Sequence, residues 1–182
     1  MIEIDETRRE RGRLRKIVLA AMFAAMAVLL SVFSIPVGPS RCFPFQHAVN
    51  VLAGVMLGPW WAMGAALTSS FLRNALGTGS LLAYPGSLFG ALAVGLAAAA
   101  LPDNRKYLAA CAEPLATSLL GAWVASLLLA AAGNAQMGFL ALSVAFALSS
   151  VPGAVIGTLA LLSMRALRPK SGKDLLEKGA DG

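Results

Sequence analysis

Residues 41–95 read RCFPFQHAVNVLAGVMLGPWWAMGAALTSSFLRNALGTGSLLAYPGSLFGALAVG. This stretch sets Arg41, His47, Asn50, Arg73 and Asn74 among long apolar runs. At bilayer depth an ionisable group costs roughly 3 kcal/mol or more unless it faces protein or water, so these residues point to a polar site inside a membrane protein. The whole chain supports that setting. With 58% hydrophobic and 13% charged residues and a mean hydropathy of +0.73, it carries more apolar surface than a soluble domain of 182 residues could bury.

The fold class that follows is an all-α membrane protein with six transmembrane helices. Each crossing takes about 20 apolar residues, and the apolar runs lie at about Ile17–Phe33, His47–Leu57, Trp61–Leu76, Ser87–Leu101, Tyr107–Ala132 and Gly138–Met164. Pro36 and Pro39 break the first run, since proline cannot continue a helix. The stretch from there to about Gln46 reads as an outer loop. His47–Leu57 is short for a full crossing, so the preceding Cys42–Gln46 is expected to help fill the outer leaflet. Gly58-Pro59-Trp60-Trp61 makes a tight inner turn, with the tryptophans suited to an interfacial belt. Gly77–Gly86 and Gly133–Gln136 read as outer turns, and Pro102–Lys106 as an inner one.

The net charge of +6 is gathered at the ends rather than along a stripe that could follow nucleic acid. Arg8, Arg9, Arg11, Arg13, Arg15 and Lys16 precede the first apolar run, and Arg165, Arg168, Lys170, Lys173 and Lys178 follow the last. By the positive-inside rule both termini are cytoplasmic and the number of spans is even. Residues 1–16 then form a basic cytoplasmic segment, 17–164 the membrane domain and 165–182 a basic cytoplasmic tail. The basic N-terminal segment is read as a signal anchor, because no convincing small-residue cleavage site follows. Cys42 and Cys111 have no ligand-like spacing, so neither a disulfide nor a metal site is expected, and no cofactor motif is present.

Four blocks carry a resemblance to a known family: Ser34-Ile-Pro-Val-Gly38, Cys42-Phe-Pro-Phe-Gln-His47, Leu57-Gly-Pro-Trp60 and Arg73-Asn-Ala-Leu-Gly-Thr-Gly-Ser-Leu-Leu-Ala-Tyr-Pro-Gly86. In order and spacing the chain resembles the ThiW family among the S components of energy-coupling-factor (ECF) vitamin transporters. The resemblance covers about Ile17 to Met164. It implies a six-helix substrate-capture subunit, not an enzyme, that takes a thiamine precursor from the outer side, the hydroxyethylthiazole moiety first, with its phosphate or another vitamin fragment as alternatives. It also implies a location in the cell membrane and, as partners, a membrane coupling protein (the T component) and two cytoplasmic ATPases. Small residues on the first helix, here Ala20, Ala21, Ala24 and Ala25, would form the docking face. The chain has no GxxxxGK[ST] phosphate loop of its own.

Small residues also recur at four-residue spacing in Gly54/Gly58, Gly86/Gly90 and Gly153/Gly157. Such spacing lets membrane helices approach closely, and internal packing is the expected role.

A substrate site is expected where outer loops meet outer helix ends. A planar heteroaromatic ligand with a hydroxyethyl arm wants a stacking partner and a few directed hydrogen bonds. Phe43, Phe45 and Tyr84 suit the first task; Gln46, His47, Asn50 and Asn74 suit the second. Plainer roles stand beside these: His47 bonding loop backbone, Tyr84 anchoring at the interface. Arg73 suits a phosphate, since guanidinium offers a bidentate fork, or else closes its loop on a backbone carbonyl, the role expected first. Glu113, the only acid inside a span, is expected about 10 Å from the inner surface, seven residues after Lys106, apart from the outer site and in an inner-half partner or coupling role, the plainer alternative being a salt bridge or a protonated carboxyl. Two other classes of function stand beside this one. A stand-alone secondary transporter would use His47, Arg73 and Glu113 as a proton relay. An intramembrane enzyme lacks any pairing of nucleophile with base.

Overall fold

The computed structural model describes residues 2–37, 40–133 and 138–167. The turn expected at 134–136, the break at Pro39 and the tail beyond Leu167 lie outside the described residues. Six helices run through the described residues. They are α1 (Ile2–Leu30), α2 (Pro44–Leu57), α3 (Pro59–Ala75), α4 (Ala83–Ala100), α5 (Asp103–Ala131) and α6 (Phe139–Ala166). A short antiparallel ribbon, β1 (Ile35–Val37) against β2 (Ser40–Cys42), joins α1 to α2 in the register Ile35↔Cys42, Pro36↔Arg41 and Val37↔Ser40. Where a loop is expected from the prolines, the chain thus folds back on itself. Proline is tolerated in a two-stranded ribbon because every strand there is an edge.

Three helices, α4, α5 and α6, are long and apolar enough to cross a membrane. The others differ from expectation at their ends. α1 continues through the basic segment without a break at residue 17, because its Arg and Glu residues are good helix formers. It stops at Leu30, where Ser31 Oγ donates to the Val28 carbonyl at 2.6 Å. α2 has only 14 residues, a rise of about 21 Å, well under the roughly 30 Å of a bilayer core. The ribbon and Phe43 extend the chain beyond its first turn.

α2 is the central element, packed against α1, α3, α4 and α6. Glycines make these contacts possible. A Cβ on Gly54 would come within 2.6 Å of the Val94 side chain, and one on Gly157 within 2.7 Å of Val51. Gly153 backs onto the Pro44 carbonyl and His47, and Gly95 onto Pro59. The expected internal packing role therefore holds for Gly54, Gly86, Gly90, Gly153 and Gly157, each in contact with a neighbouring helix. Gly58 does something else: at φ 84° it makes the left-handed turn between α2 and α3, a conformation that glycine adopts without penalty. Pro59 follows at the first helical position, where its missing N–H costs nothing.

α1 divides its small residues between two faces. Ala24 lies in the core with Phe23, Ala27, Val49, Ala53 and Ala65, and Ala20 packs against that cluster. Ala21 and Ala25 are exposed. One residue along a helix turns the face by about 100°, so the two pairs point to different sides of α1. Of the four alanines, Ala21 and Ala25 are the exposed ones, beside the exposed Val18, Met22 and Leu29.

Candidate functional site: a buried polar cavity

The site is assembled where the ribbon meets α2. The Phe43 N–H donates to Ser149 Oγ at 2.6 Å, which ties the end of β2 to α6. Pro44 then opens α2. The first turns of that helix carry Gln46, His47 and Asn50, all buried. Buried polar side chains need partners, and two of these find them on other helices. The Asn50 amide donates to the Ser87 carbonyl at 3.3 Å. His47 Nδ1 lies 2.5 Å from Glu113 Oε1.

The meeting of His47 with Glu113 corrects the expectation that Glu113 stays apart. Two features account for the reach. Its first nine residues, Asp103–Cys111, form a 3-10 helix, rising about 2.0 Å per residue instead of about 1.5 Å. The same residues therefore carry Glu113 further along the bundle. From the other side, the short α2 begins low enough to meet it.

Glu113 is fully buried. Its Oε1 also lies 3.1 Å from Thr117 Oγ1, which is equally close to the Gly86 carbonyl. The niche exists because α4 carries glycine at 90: a Cβ there would sit 2.5 Å from both Glu113 Oε1 and Thr117 Oγ1. At Thr117–Gly121 the helix widens to a π turn, an irregularity found frequently at functional sites. With Nδ1 engaged by the carboxylate, the ring nitrogen of His47 left for other partners is Nε2.

A cavity of about 90 Å³ lies against these groups. Arg41, Phe43, Gln46 and His47 line one side; Arg73, Ser80 and Leu82 come from the end of α3 and the loop after it. Gly86 of α4 and Ala145, Phe146 and Ser149 of α6 complete the wall. Arg73 is 1% exposed, its guanidinium carbon 4.2 Å from the centroid of the Phe43 ring. Among the described residues its Nε and Nη1 make no hydrogen bond, which leaves the head group in this cation–π contact. The loop after α3 closes without the guanidinium. Its main-chain carbonyl, O of Arg73, accepts from the N–H groups of Thr78 and Gly79 at 2.9 and 3.0 Å. The expected loop-closing role thus falls to the backbone of Arg73 and leaves its side chain to the cavity.

Of the eight residues expected to touch substrate, Phe43, Gln46, His47 and Arg73 line the cavity. The other four stand around it. Asn74 pins the loop, donating to the Ser70 and Ser80 carbonyls at 2.9 and 3.0 Å. Phe45 packs edge-on against Phe33, with ring centroids 6.0 Å apart. Asn50 bonds α4 as described, and Tyr84 is half-buried in the first turn of α4, outside the cavity wall. Sequence reasoning missed Ser149 and Phe146, which read there as ordinary parts of an apolar helix, and the joining of Glu113 to His47.

An all-α membrane protein with a cavity walled by its helices, the β2 strand and the loop after α3 is the class that fold and site define. A family model described as "Thiamine-precursor transporter protein (ThiW)" matches residues 17–167. That span covers most of the chain, and the chain belongs to the ThiW family of membrane transporters. Comparison with curated proteins and with solved structures gives no match.

Proposed function

We propose that this chain is the substrate-capture (S) subunit of an ATP-driven ECF importer for a thiamine precursor, the hydroxyethylthiazole moiety. The observation that carries the reading is the cavity itself. It is walled by residues of the 42–47 and 73–86 blocks, the blocks on which the ThiW resemblance is most specific, and it combines an aromatic ring, Phe43, with directed polar groups on Gln46 and His47. A small planar heterocycle needs that combination.

In this reading the chain crosses the cell membrane six times, with both termini cytoplasmic and the β1–β2 ribbon on the outer side. Energy comes from two ATPases reached through a membrane coupling protein, since the chain has no phosphate-binding loop. The docking surface is the exposed Ala21/Ala25 face of α1. Co-purification tests this: Ala21→Leu abolishes complex formation with the coupling protein and ATPases while the subunit stays folded. An intact complex in that variant removes the docking claim.

The substrate claim is tested by calorimetric titration of the purified protein with hydroxyethylthiazole compounds and with thiamine. Tight binding of thiamine, with none of the thiazoles, overturns the substrate while leaving the transporter class in place. One observation favours a second reading, a proton-coupled transporter: the 2.5 Å His47–Glu113 contact holds a proton between two groups of one buried site. Uptake into proteoliposomes without any ATPase, lost on adding an uncoupler, would favour that alternative.

A further inference from the structure

We infer that the cavity takes its ligand as an anion, with a phosphate ester or carboxylate seated on Arg73. The inference rests on the proposed capture role and specifies the charge of what is captured. Arg73 is 1% exposed and lines the cavity. Its Nε and Nη1 make no hydrogen bond. A buried charge is retained where something compensates it, and among the described residues no ion pair to Arg73 does so. The buried carboxylate of the site, Glu113, has its Oε1 engaged with His47 and Thr117. The Phe43 ring 4.2 Å away offers a cation–π contact, weaker than an anion would be.

The other charged group on the cavity wall has the same sign. Arg41 on β2 is exposed and lines the same space. With Glu113 and His47 facing one another, the wall carries a net positive charge from Arg73 and Arg41. Guanidinium hydrogen-bonds oxyanions through several donors at once. The buried Arg73 would hold the anion and Arg41 would attract it at the edge of the cavity, while His47 Nε2 and Gln46 remain for the neutral part of the molecule.

Calorimetric titration of the full-length protein in detergent tests this, comparing hydroxyethylthiazole with its phosphate ester. The ester binds about tenfold tighter or more, the gain expected from charge-assisted hydrogen bonds. Arg73→Gln removes that preference, so that ester and alcohol bind alike, and Arg73→Lys keeps part of the preference. Equal binding of ester and alcohol by the wild-type protein overturns the inference with no variant needed. So does an Arg73→Gln protein, shown by thermal melting to be folded, that keeps the preference. If neither thiazole compound binds but thiamine monophosphate does, in an Arg73-dependent way, the anion inference stands and the thiazole reading falls.

Discussion

Two hollows in this bundle differ in size and in chemistry. The one between α5 and α6 has about 470 Å³, lined by Ala110, Pro114, Leu115, Val151, Val155 and Leu159 among others. The one below the β1–β2 ribbon has about 90 Å³ and is walled by two arginines, a histidine and a glutamine. The larger hollow has no ionisable wall group but the thiol of Cys111, and its residues suit contact with lipid chains. The smaller one holds a fully buried arginine and abuts a buried histidine–glutamate pair. In an apolar medium such groups are costly and are kept where they have work to do. Chemistry rather than volume therefore marks the site.

The contrast can be broken or sharpened by substitution on each side. The largest effect is expected at Gly90, where a side chain must displace Glu113 and Thr117. Gly90→Leu should cost about 3 kcal/mol, the upper range for overpacking, read as a lowered melting temperature in detergent. An unchanged melt would mean that the α4–α5 contact is looser than described. Next comes Glu113→Ala, which leaves His47 Nδ1 buried without a partner and should cost about 2 kcal/mol. Glu113→Gln should recover much of that loss, because an amide oxygen still accepts from Nδ1–H. If Ala and Gln behave alike, the hydrogen bond is not what holds the pair.

Asn74→Ala removes two bonds that pin the loop after α3 and should cost about 1 kcal/mol, with faster limited proteolysis between Leu76 and Leu82. Protection equal to the wild type would show that the Arg73 carbonyl closes the loop alone. The smallest effect is expected in the apolar hollow. Leu159 is 59% exposed, and Leu159→Ala should shift stability by less than about 0.5 kcal/mol and leave ligand affinity unchanged.

Much of this was legible in the sequence because its signals are local. Apolar runs between Pro and Gly breaks marked the helices, and the aromatic and polar residues at or near the ends of those runs pointed to Phe43, Gln46, His47 and Arg73, which line the cavity. What escaped depends on backbone geometry that side-chain pattern does not encode. The 3-10 start of α5 changes the rise per residue, so a depth counted at α-helical rise placed Glu113 too far from His47. The ribbon at 35–42 was hidden by its prolines, which read as loop. The division of Ala20 and Ala24 from Ala21 and Ala25 needed the orientation of α1 against α2 and α3, which alanine spacing leaves open. Arg73 lines the cavity, but only the fold separates its carbonyl, which closes the loop, from its side chain, which does not.

The central claim is that the small polar cavity, and not the larger apolar hollow, receives the thiamine precursor. Calorimetric titration with hydroxyethylthiazole and its phosphate ester tests it on two folded variants: Ala145→Leu, which fills the polar cavity from α6, and Val155→Trp, which fills the hollow. The account predicts that Ala145→Leu loses binding of both compounds while Val155→Trp binds as the wild type does. Binding retained in Ala145→Leu and lost in Val155→Trp would contradict it.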